Sequence, residues 1–299
     1  MTATTTRVDR TLMGVRCTVT VSGDSSSVIA HHCLDSVARL EQLWSRFIPT
    51  SDISQLNNAK GQPVWVAKQT TLLVSYLIAA HTETYGCFNP ALLPMQLAEG
   101  DTRSLIDDHF TSVSAGSQPF GDLSNVEIHS DGRVQLHNGI TLDAGGLAKG
   151  LAADVVAAEA LASGAQGVCI NIGGDMAIST GSEEAWRVDI ASPFDPEVVV
   201  DSVNISQGGV ATSAINARYR NGSQLPNHIF TLSGASTSPT AGATVLASHA
   251  AWAEAWTKYA IIKEPDEALA TIAKKGLAAL IVLRDGSIRS TDSWKELAQ

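Results

Sequence analysis

The residues best suited to chemistry lie in the segment 142–178, LDAGGLAKGLAADVVAAEALASGAQGVCINIGGDMAI. Gly145-Gly146 and Gly150 flank Lys149 there, immediately before a stretch with helical periodicity. A glycine-rich turn leading into a helix offers backbone N–H groups and the positive end of the helix dipole, to which a lysine adds a full charge. These features suit a pyrophosphate, although the spacing matches neither GxGxxG nor the P-loop pattern GxxxxGK(S/T). The alternative is a tight turn with a solvated lysine.

A second glycine turn, NIGGD at residues 171–175, follows the predicted helix. Taken alone, it predicts a hairpin whose glycines have positive φ. Two glycine turns flanking one helix are expected near the same end of a sheet. The arrangement therefore favours a shared ligand cleft, with a plain hairpin as the alternative.

Three further side chains are candidates for chemistry. Glu254 and Lys258 lie four residues apart in a predicted helix over 248–262, in the order that favours a Glu-to-Lys ion pair. Such a pair is typically solvated at a protein surface. His228 lies in a strand-like segment after a loop, where a lone histidine is more often structural than catalytic. The sequence contains no GxSxG elbow and no HExxH motif.

The elements that must position these residues alternate irregularly. Hairpin signals recur and no β-α-β alternation runs through the chain, which favours an α+β fold with mostly antiparallel sheets and interspersed helices. Without internal repeats or a low-complexity linker, we predict one domain over residues 1–299. Strands 167–172 and 185–190 are expected on either side of the Gly-Gly-Asp turn. The other predicted strands are 15–22, 126–129, 134–136, 198–205, 209–211, 228–232 and 243–247, and the predicted helices are 25–47, 53–57, 70–85, 151–163 and 248–262.

The composition is that of a folded protein with few charges. Of 299 residues, 44% are hydrophobic and 17% charged, and the net charge is -10. This excludes a disordered chain and argues against nucleic-acid binding, which needs clustered Lys and Arg. A small anionic ligand needs only a few local donors. Because no apolar run approaches the ~18 residues of a membrane span and the N-terminus lacks a signal-peptide pattern, we expect a cytoplasmic protein.

Six segments in a fixed order resemble the FAD:protein FMN transferase family, the ApbE-like proteins once described as thiamine-biosynthesis lipoproteins. Each segment is weak alone, but six in the right order are specific. The resemblance runs from about residue 12 to residue 262. Its segments are Met13-Gly14, WSRFIPTSDISQLN (44–57), YGCFNPALLP (85–94), LDAGGLAKGLAAD (142–154), NIGGD (171–175) and GVATSA (209–214).

The resemblance implies the ApbE-like α+β fold, FAD as bound donor and a divalent metal, usually Mg²⁺. The family cleaves FAD, transfers FMN through a phosphoester bond to a Thr or Ser of a target protein, and releases AMP. Lys149 would then balance phosphate charge, and Asp143 would hydrogen-bond a ribose or adenine group. The positions that match the family's FAD contacts are Met13, Phe47, Cys87, Phe88, Asn89, Asp143, Lys149 and Phe230.

Two segments depart from the family pattern. HIFTLSG at 228–234 keeps His228 but lacks the Asp-Pro pair of the family's HIIDPxTG. AEAWTK at 253–258 stands where the family has ADALxT, its metal-site stretch. Glu254 replaces an aspartate ligand there, and Lys258 stands at a threonine ligand's position, where an ammonium cannot coordinate a cation. Gly146 could still offer its backbone carbonyl.

These departures leave alternatives open. Lys258 either swings away and leaves a poorer metal site, or neutralises phosphate while pairing with Glu254, which predicts a reduced or metal-independent activity. The six matching segments favour FMN transfer, with His228 or Asp175 assisting proton removal. The other hypotheses are a flavin-binding protein that has lost transfer and an FAD pyrophosphatase giving FMN and AMP.

Overall fold

A computed structural model describes residues 4–98, 100–102, 111, 113, 116–119, 121–181, 185–215, 219–220, 223–224, 230–231, 234–235 and 238–298. The chain divides into two compact units. Unit 1 comprises Met1–Ala38, Lys149–Ala217 and Thr237–Gln299, and unit 2 comprises Arg39–Ala148 and Arg218–Ser236. One domain over residues 1–299 stays a prediction.

Helices and strands are interspersed along the described residues. The helices are α1 Ser26–Trp44, α2 Asp52–Asn58, α3 Lys68–Glu83, α4 Leu93–Ala98, α5 Ala148–Ala162, α6 Ala250–Ile262, α7 Pro265–Lys274 and α8 Asp292–Leu297. The strands are β1 Thr5–Leu12, β2 Val15–Ser22, β3 Val64–Trp65, β4 Val126–Ile128, β5 Arg133–Leu136, β6 Gly167–Ile172, β7 Asp175–Ser179, β8 Trp186–Ala191, β9 Val199–Ile205, β10 Gln207–Ala214, β11 Tyr219–Arg220, β12 Ser223–Gln224, β13 Phe230–Thr231, β14 Gly234–Ala235, β15 Thr240–Ala247, β16 Ala278–Leu283 and β17 Ile288–Ser290.

Unit 1 is built on an eight-stranded antiparallel sheet. Its strand order is β1-β2-β6-β7-β10-β15-β16-β17, and α6 packs against β10 and β15. Strand β2 alternates as its sequence VRCTVTVS predicts, with Cys17, Val19 and Val21 buried. The predicted α+β fold with mostly antiparallel sheets is confirmed.

The NIGGD turn forms the predicted hairpin, but with a different second strand. Gly173 and Gly174 have φ of 65° and 99°, and Asn171 Oδ1 accepts the Gly174 N–H at 2.9 Å. Because the turn has only two residues, the returning strand must begin at once, and it is β7. The prediction of residues 185–190 as the partner was wrong, since β8 pairs with β9 instead.

Strand β1 was not predicted from the sequence. Among the described residues it pairs with β2 alone, at the edge of the sheet, and most of its side chains are exposed or half-buried. A strand with water on both sides lacks the apolar alternation that marks a half-buried one. Among the described residues, no helix has both the length and the apolar character that crossing a membrane requires.

In unit 2, the family-like segment at 44–57 caps one helix and connects it to the next. Ser51 caps α2 by accepting the Ser54 N–H at 3.1 Å. Asp52, a buried residue, accepts the Thr70 hydroxyl at 2.6 Å and so fixes α2 against the start of α3. The Ser-Asp pair of this segment is therefore explained by folding.

Candidate functional site

Helix α6, which carries Glu254 and Lys258, is positioned by close backbone contacts at its first residue. A Cβ atom on Gly150 would lie 2.5 Å from the Ala250 carbonyl oxygen, and one on Gly209 would lie 2.1 Å from the Ala250 nitrogen. Neither separation is sterically possible, so both positions need glycine. The glycines of two family-like segments thus converge on one helix start.

Helices α5 and α6 also cap each other. Asp154 of α5 accepts the N–H groups of Ala250 and Ala251 at 2.8 and 2.9 Å, since His249 gives α6 no side-chain cap. In return, Glu254 Oε2 accepts the Gly150 N–H in the first turn of α5 at 2.8 Å. An N–H group that we expected to face an anion is thus bonded to a carboxylate of the protein.

Four charged side chains form a cluster, which we call the Lys149 cluster: Lys149, Asp175, Glu254 and Lys258. Lys149 Nζ lies 2.5 Å from Asp175 Oδ2 and 2.5 Å from Glu254 Oε1. Lys258 Nζ lies 3.5 Å from the same Glu254 oxygen. The side chain of Glu254 is 0% exposed, and that of Lys258 is 16% exposed. The interpretation of Glu254 and Lys258 as a solvated surface pair was therefore wrong, and so was the alternative of a solvated Lys149.

Burial and mutual attraction set the pKa values in this cluster. Burial opposes the charge on Lys149, but the attraction of Asp175 and Glu254 outweighs it and raises the lysine's pKa. Burial lowers the pKa of Lys258, with Glu254 opposing the effect. Burial, followed by repulsion from Glu254, raises the pKa of Asp175 to about 6. For Glu254, burial is overcome by the two lysines, which hold its pKa below the usual range.

One oxygen of the Lys149 cluster is unsatisfied. Among the described residues, Asp175 Oδ1 is buried and has no hydrogen-bond partner. A buried acceptor left unpaired costs about 1–3 kcal/mol. Asp175 pairs with Lys149 through its other oxygen, so Oδ1 keeps lone pairs that can accept a proton or a hydroxyl group.

The family's divalent metal does not fit this arrangement. Both Glu254 oxygens already accept protein N–H groups, and two ammonium groups lie against the carboxylate that would have to coordinate the ion. Within the described part of the chain, no three His, Cys, Asp or Glu residues are grouped as metal ligands would be. Gly146 belongs to unit 2, whereas Glu254 and Lys258 belong to unit 1.

A second polar cluster in unit 2 joins two of the predicted FAD contacts through a buried arginine. The Arg46 side chain is 5% exposed, and its Nε lies 3.6 Å from Asp143 Oδ2. Its guanidinium carbon lies 4.2 Å from the centre of the Phe47 ring, a cation–π contact. Both terminal nitrogens donate to the Asp101 carbonyl at 3.1 Å. Arg46 therefore holds an aromatic face and a carboxylate in one place.

The segment before Lys149 is tied to two other parts of unit 2. Asn57 brackets Leu142, donating to its carbonyl and accepting its N–H, both at 2.8 Å. The Asp143 N–H donates to the Pro90 carbonyl at 2.8 Å, next to Asn89. The predicted FAD contacts at 88–89 and at 143 are therefore close in space. Phe88 itself is only 3% exposed and packs into the core.

The remaining predicted site residues belong to different units or lie outside the described residues. Met13, with φ of 51°, forms the β1–β2 turn of unit 1. Cys87 is half-buried in unit 2. His228 lies outside the described residues, and Phe230 is described only as part of the backbone of β13.

Sequence reasoning missed two residues that organise these clusters, Arg46 and Asp154. Both lie inside quoted family-like segments, at the third position of WSRF and the last position of LDAGGLAKGLAAD. The signal available was only that each is a charged residue inside a family-like segment. The groups to which their side chains hydrogen-bond are 55 or more positions away, so no local pattern identifies these contacts.

The sequence profile described as the ApbE family matches residues 13–281 of the chain. Among solved structures, the ApbE protein of Thermotoga maritima MSB8 has a TM-score of 0.86 at 22% identity, covering 99% of this chain and 100% of that one. The flavin transferase ApbE of Vibrio cholerae has a TM-score of 0.80 at 18% identity, covering 99% of each chain. The flavinyl transferase ApbE of Pseudomonas stutzeri has a TM-score of 0.80 at 21% identity, covering 99% and 97%. No curated protein sequence matches the chain. These likenesses agree in fold, and the profile match over most of the chain shows that it belongs to the ApbE family.

Proposed function

We propose that this protein is a flavin transferase that uses FAD as donor and moves FMN to a Thr or Ser of an acceptor protein, releasing AMP. Family membership and neighbours named as flavin transferases support the proposal. The observation that carries it is the Lys149 cluster. The Lys149 ammonium lies against Asp175, whose buried Oδ1 has no hydrogen-bond partner among the described residues, and the Lys258 ammonium lies against Glu254. Phosphoryl transfer needs these two capacities, positive charge and a proton acceptor.

The proposed FAD contacts are those assigned by matching position. Phe47 and Asp143 offer an aromatic face and a hydrogen-bonding carboxylate, both oriented by Arg46. Lys149 would neutralise phosphate charge. To bind the Lys149 ammonium, a phosphate must compete with the carboxylates of Asp175 and Glu254. The other assigned contacts are Met13, Cys87, Phe88, Asn89 and Phe230.

In the proposed reaction, the acceptor's hydroxyl oxygen bonds to the phosphorus on the FMN side. The bond from that phosphorus to the bridging oxygen breaks, and the bridging oxygen leaves as part of AMP. The hydroxyl proton passes to a base, for which Asp175 and His228 are the candidates. Ammonium groups stabilise the charge that develops on the leaving phosphate, and positioning supplies much of the remaining rate.

A transfer assay tests this proposal. The purified chain is incubated with FAD and a candidate acceptor domain, and flavin fluorescence on the denatured acceptor and released AMP are both quantified. Acceptor with its Thr or Ser changed to Ala is the control for the site of attachment. Flavin on the acceptor with matching AMP is expected. Neither product, against an active family member in parallel, would refute transfer.

A lysine substitution connects the assay to the Lys149 cluster. Lys149→Met should lower the transfer rate by about 100-fold, the scale expected when one charge-stabilising donor is removed. Lys295→Met is the matched control, because that side chain is 65% exposed on α8. Equal rates for both variants would contradict the assigned role of Lys149.

A flavin-binding protein without transfer is the second candidate. It is favoured by one observation, that Lys149 and the Gly150 N–H already have protein partners. It predicts FAD binding with neither AMP nor free FMN. An FAD pyrophosphatase would instead release both products in the absence of acceptor, so the same assay separates the three functions.

A further inference from the structure

The positions around the Glu254 carboxylate are filled by two ammonium groups and one backbone N–H group. Its Oε2 accepts the Gly150 N–H at 2.8 Å, and its Oε1 faces Lys149 and Lys258. A carboxylate coordinates a metal with the same lone pairs that accept these hydrogen bonds. Three of the roughly four lone-pair positions of the carboxylate are therefore taken, and a metal ion at Oε1 would have to displace an ammonium group.

The charge balance of the Lys149 cluster also argues against a bound metal ion. Two carboxylates and two ammonium groups sum to zero, and three of the four side chains are at least 84% buried. A divalent cation added to this set would leave two uncompensated positive charges in a site of low dielectric. Without Lys258, the remaining Lys149, Asp175 and Glu254 would sum to minus one and would attract a cation.

Lys258 is held in place by its helix. It lies one turn after Glu254 on α6, and the start of α6 is fixed by Asp154 and by the close approach of Gly150. The neighbouring hydroxyl of Thr257 donates to the Glu254 carbonyl at 2.7 Å. The same hydroxyl lies 2.7 Å from the Ser213 hydroxyl, so its proton and one of its lone pairs are already used.

We propose that Lys258 is a built-in cation, so that this site binds and activates an anionic ligand without a divalent metal. The ligand class, a dinucleotide with a pyrophosphate, rests on the proposed function. An ammonium neutralises charge and donates hydrogen bonds, but it polarises a phosphate less than a divalent ion does. The wild-type chain should therefore be slow and insensitive to chelators.

Metal binding to the free protein tests this without any activity. Mn²⁺ titration followed by electron paramagnetic resonance should detect no site on the wild type. Lys258→Thr should create one site, and Lys258→Thr combined with Glu254→Gln should lose it again. Lys263→Thr is the matched control, because Lys263 follows the same helix and is 38% exposed beside Glu267. Stoichiometric Mn²⁺ binding to the wild type would overturn the proposal. This measurement does not depend on the folding of any variant.

Transfer measured with and without metal gives an independent readout. The wild-type rate should be the same in EDTA and in Mg²⁺, whereas Lys258→Thr should be active only with Mg²⁺. A Lys258→Thr variant that is folded but binds no Mn²⁺ would show that the lysine does not occupy a cation position. Absence of transfer by a wild type that binds no Mn²⁺ would refute the proposed function and leave the built-in cation standing.

Discussion

Replacing Asp154 by alanine is the sharpest test of how α6 is held. The carboxylate accepts two N–H groups, those of Ala250 and Ala251, at 2.8 and 2.9 Å. Both alanines are 0% exposed, so water cannot readily replace the lost acceptor. Asp154→Ala therefore removes the cap of α6 and leaves two buried donors unpaired.

The size of the effect follows from these contacts. Loss of a helix cap costs about 0.5–2 kcal/mol, and each buried unpaired donor costs about 1–3 kcal/mol. The gain from no longer burying a carboxylate offsets part of this, since burial raises the pKa of Asp154. We expect a net loss of about 2–4 kcal/mol in the free energy of unfolding. Asp154→Asn keeps one acceptor and should lose about half as much.

Two measurements check this prediction. Urea unfolding at neutral pH gives the change in stability, and amide hydrogen exchange gives the local opening at the two alanines. Asp292→Ala is the matched control, because this carboxylate in the first turn of α8 is 93% exposed. Unfolding free energy within about 0.5 kcal/mol of wild type, with unchanged exchange at 250 and 251, would refute the capping role.

Three further predictions concern single residues. Gly150→Ala should lower the free energy of unfolding by about 1–3 kcal/mol, because the added Cβ would lie 2.5 Å from the Ala250 oxygen and overpack the site. This loss outweighs a gain of about 1 kcal/mol in helix propensity. Urea unfolding measures the change. Asn57→Ala should cost about 2–3 kcal/mol in the same assay, because it removes two buried hydrogen bonds to Leu142. Asp175 has a folded pKa of about 6 against 3.8 for the ordinary group. The native state therefore retains a proton that the unfolded state loses, and the stability of wild type relative to Asp175→Asn should fall as the pH rises from about 4 to 6, by at most about 1.4 kcal/mol per pH unit.

Matched changes keep these predictions specific. Gly145→Ala should have little effect on stability, because its Cβ would meet only the Asp143 side chain, at 3.2 Å. Asn58→Ala, at an exposed position next to Asn57, should cost under about 0.5 kcal/mol. If either control destabilises as much as its partner, the contact assigned to the partner is not the cause. A constant difference between wild type and Asp175→Asn across this pH range would contradict the raised pKa.

The parts of the fold that the sequence predicts are those with local signals. The Gly-Gly turn of NIGGD needs positive φ at two successive residues, and VRCTVTVS alternates with the period of a half-buried strand. Strand β1 is not predicted because an edge strand buries few apolar side chains. Strand β7 is not predicted because its partner and length are set by the turn before it. The α+β class could be predicted because the sequence signals of hairpins are short-range.

The candidate site is less predictable because its geometry comes from distant contacts. Glu254 and Lys258 have the spacing of an ordinary surface pair. They are buried by packing against distant parts of the chain, which include α5 about 100 positions earlier and the strands β10 and β15. Composition and helical period contain no trace of that contact. The family resemblance supplied the positions, and the structure supplied the burial, the reciprocal caps and the role of Arg46.

The two glycines that meet Ala250 have a consequence for how such a site can diverge. They place α6 through contacts with its backbone, which are the same whatever side chains the helix carries. Residue 258 can therefore be exchanged without removing these contacts, whereas Glu254 also accepts the Gly150 N–H and helps to place the helix. The position of α6 and the charge presented at residue 258 thus depend on different residues.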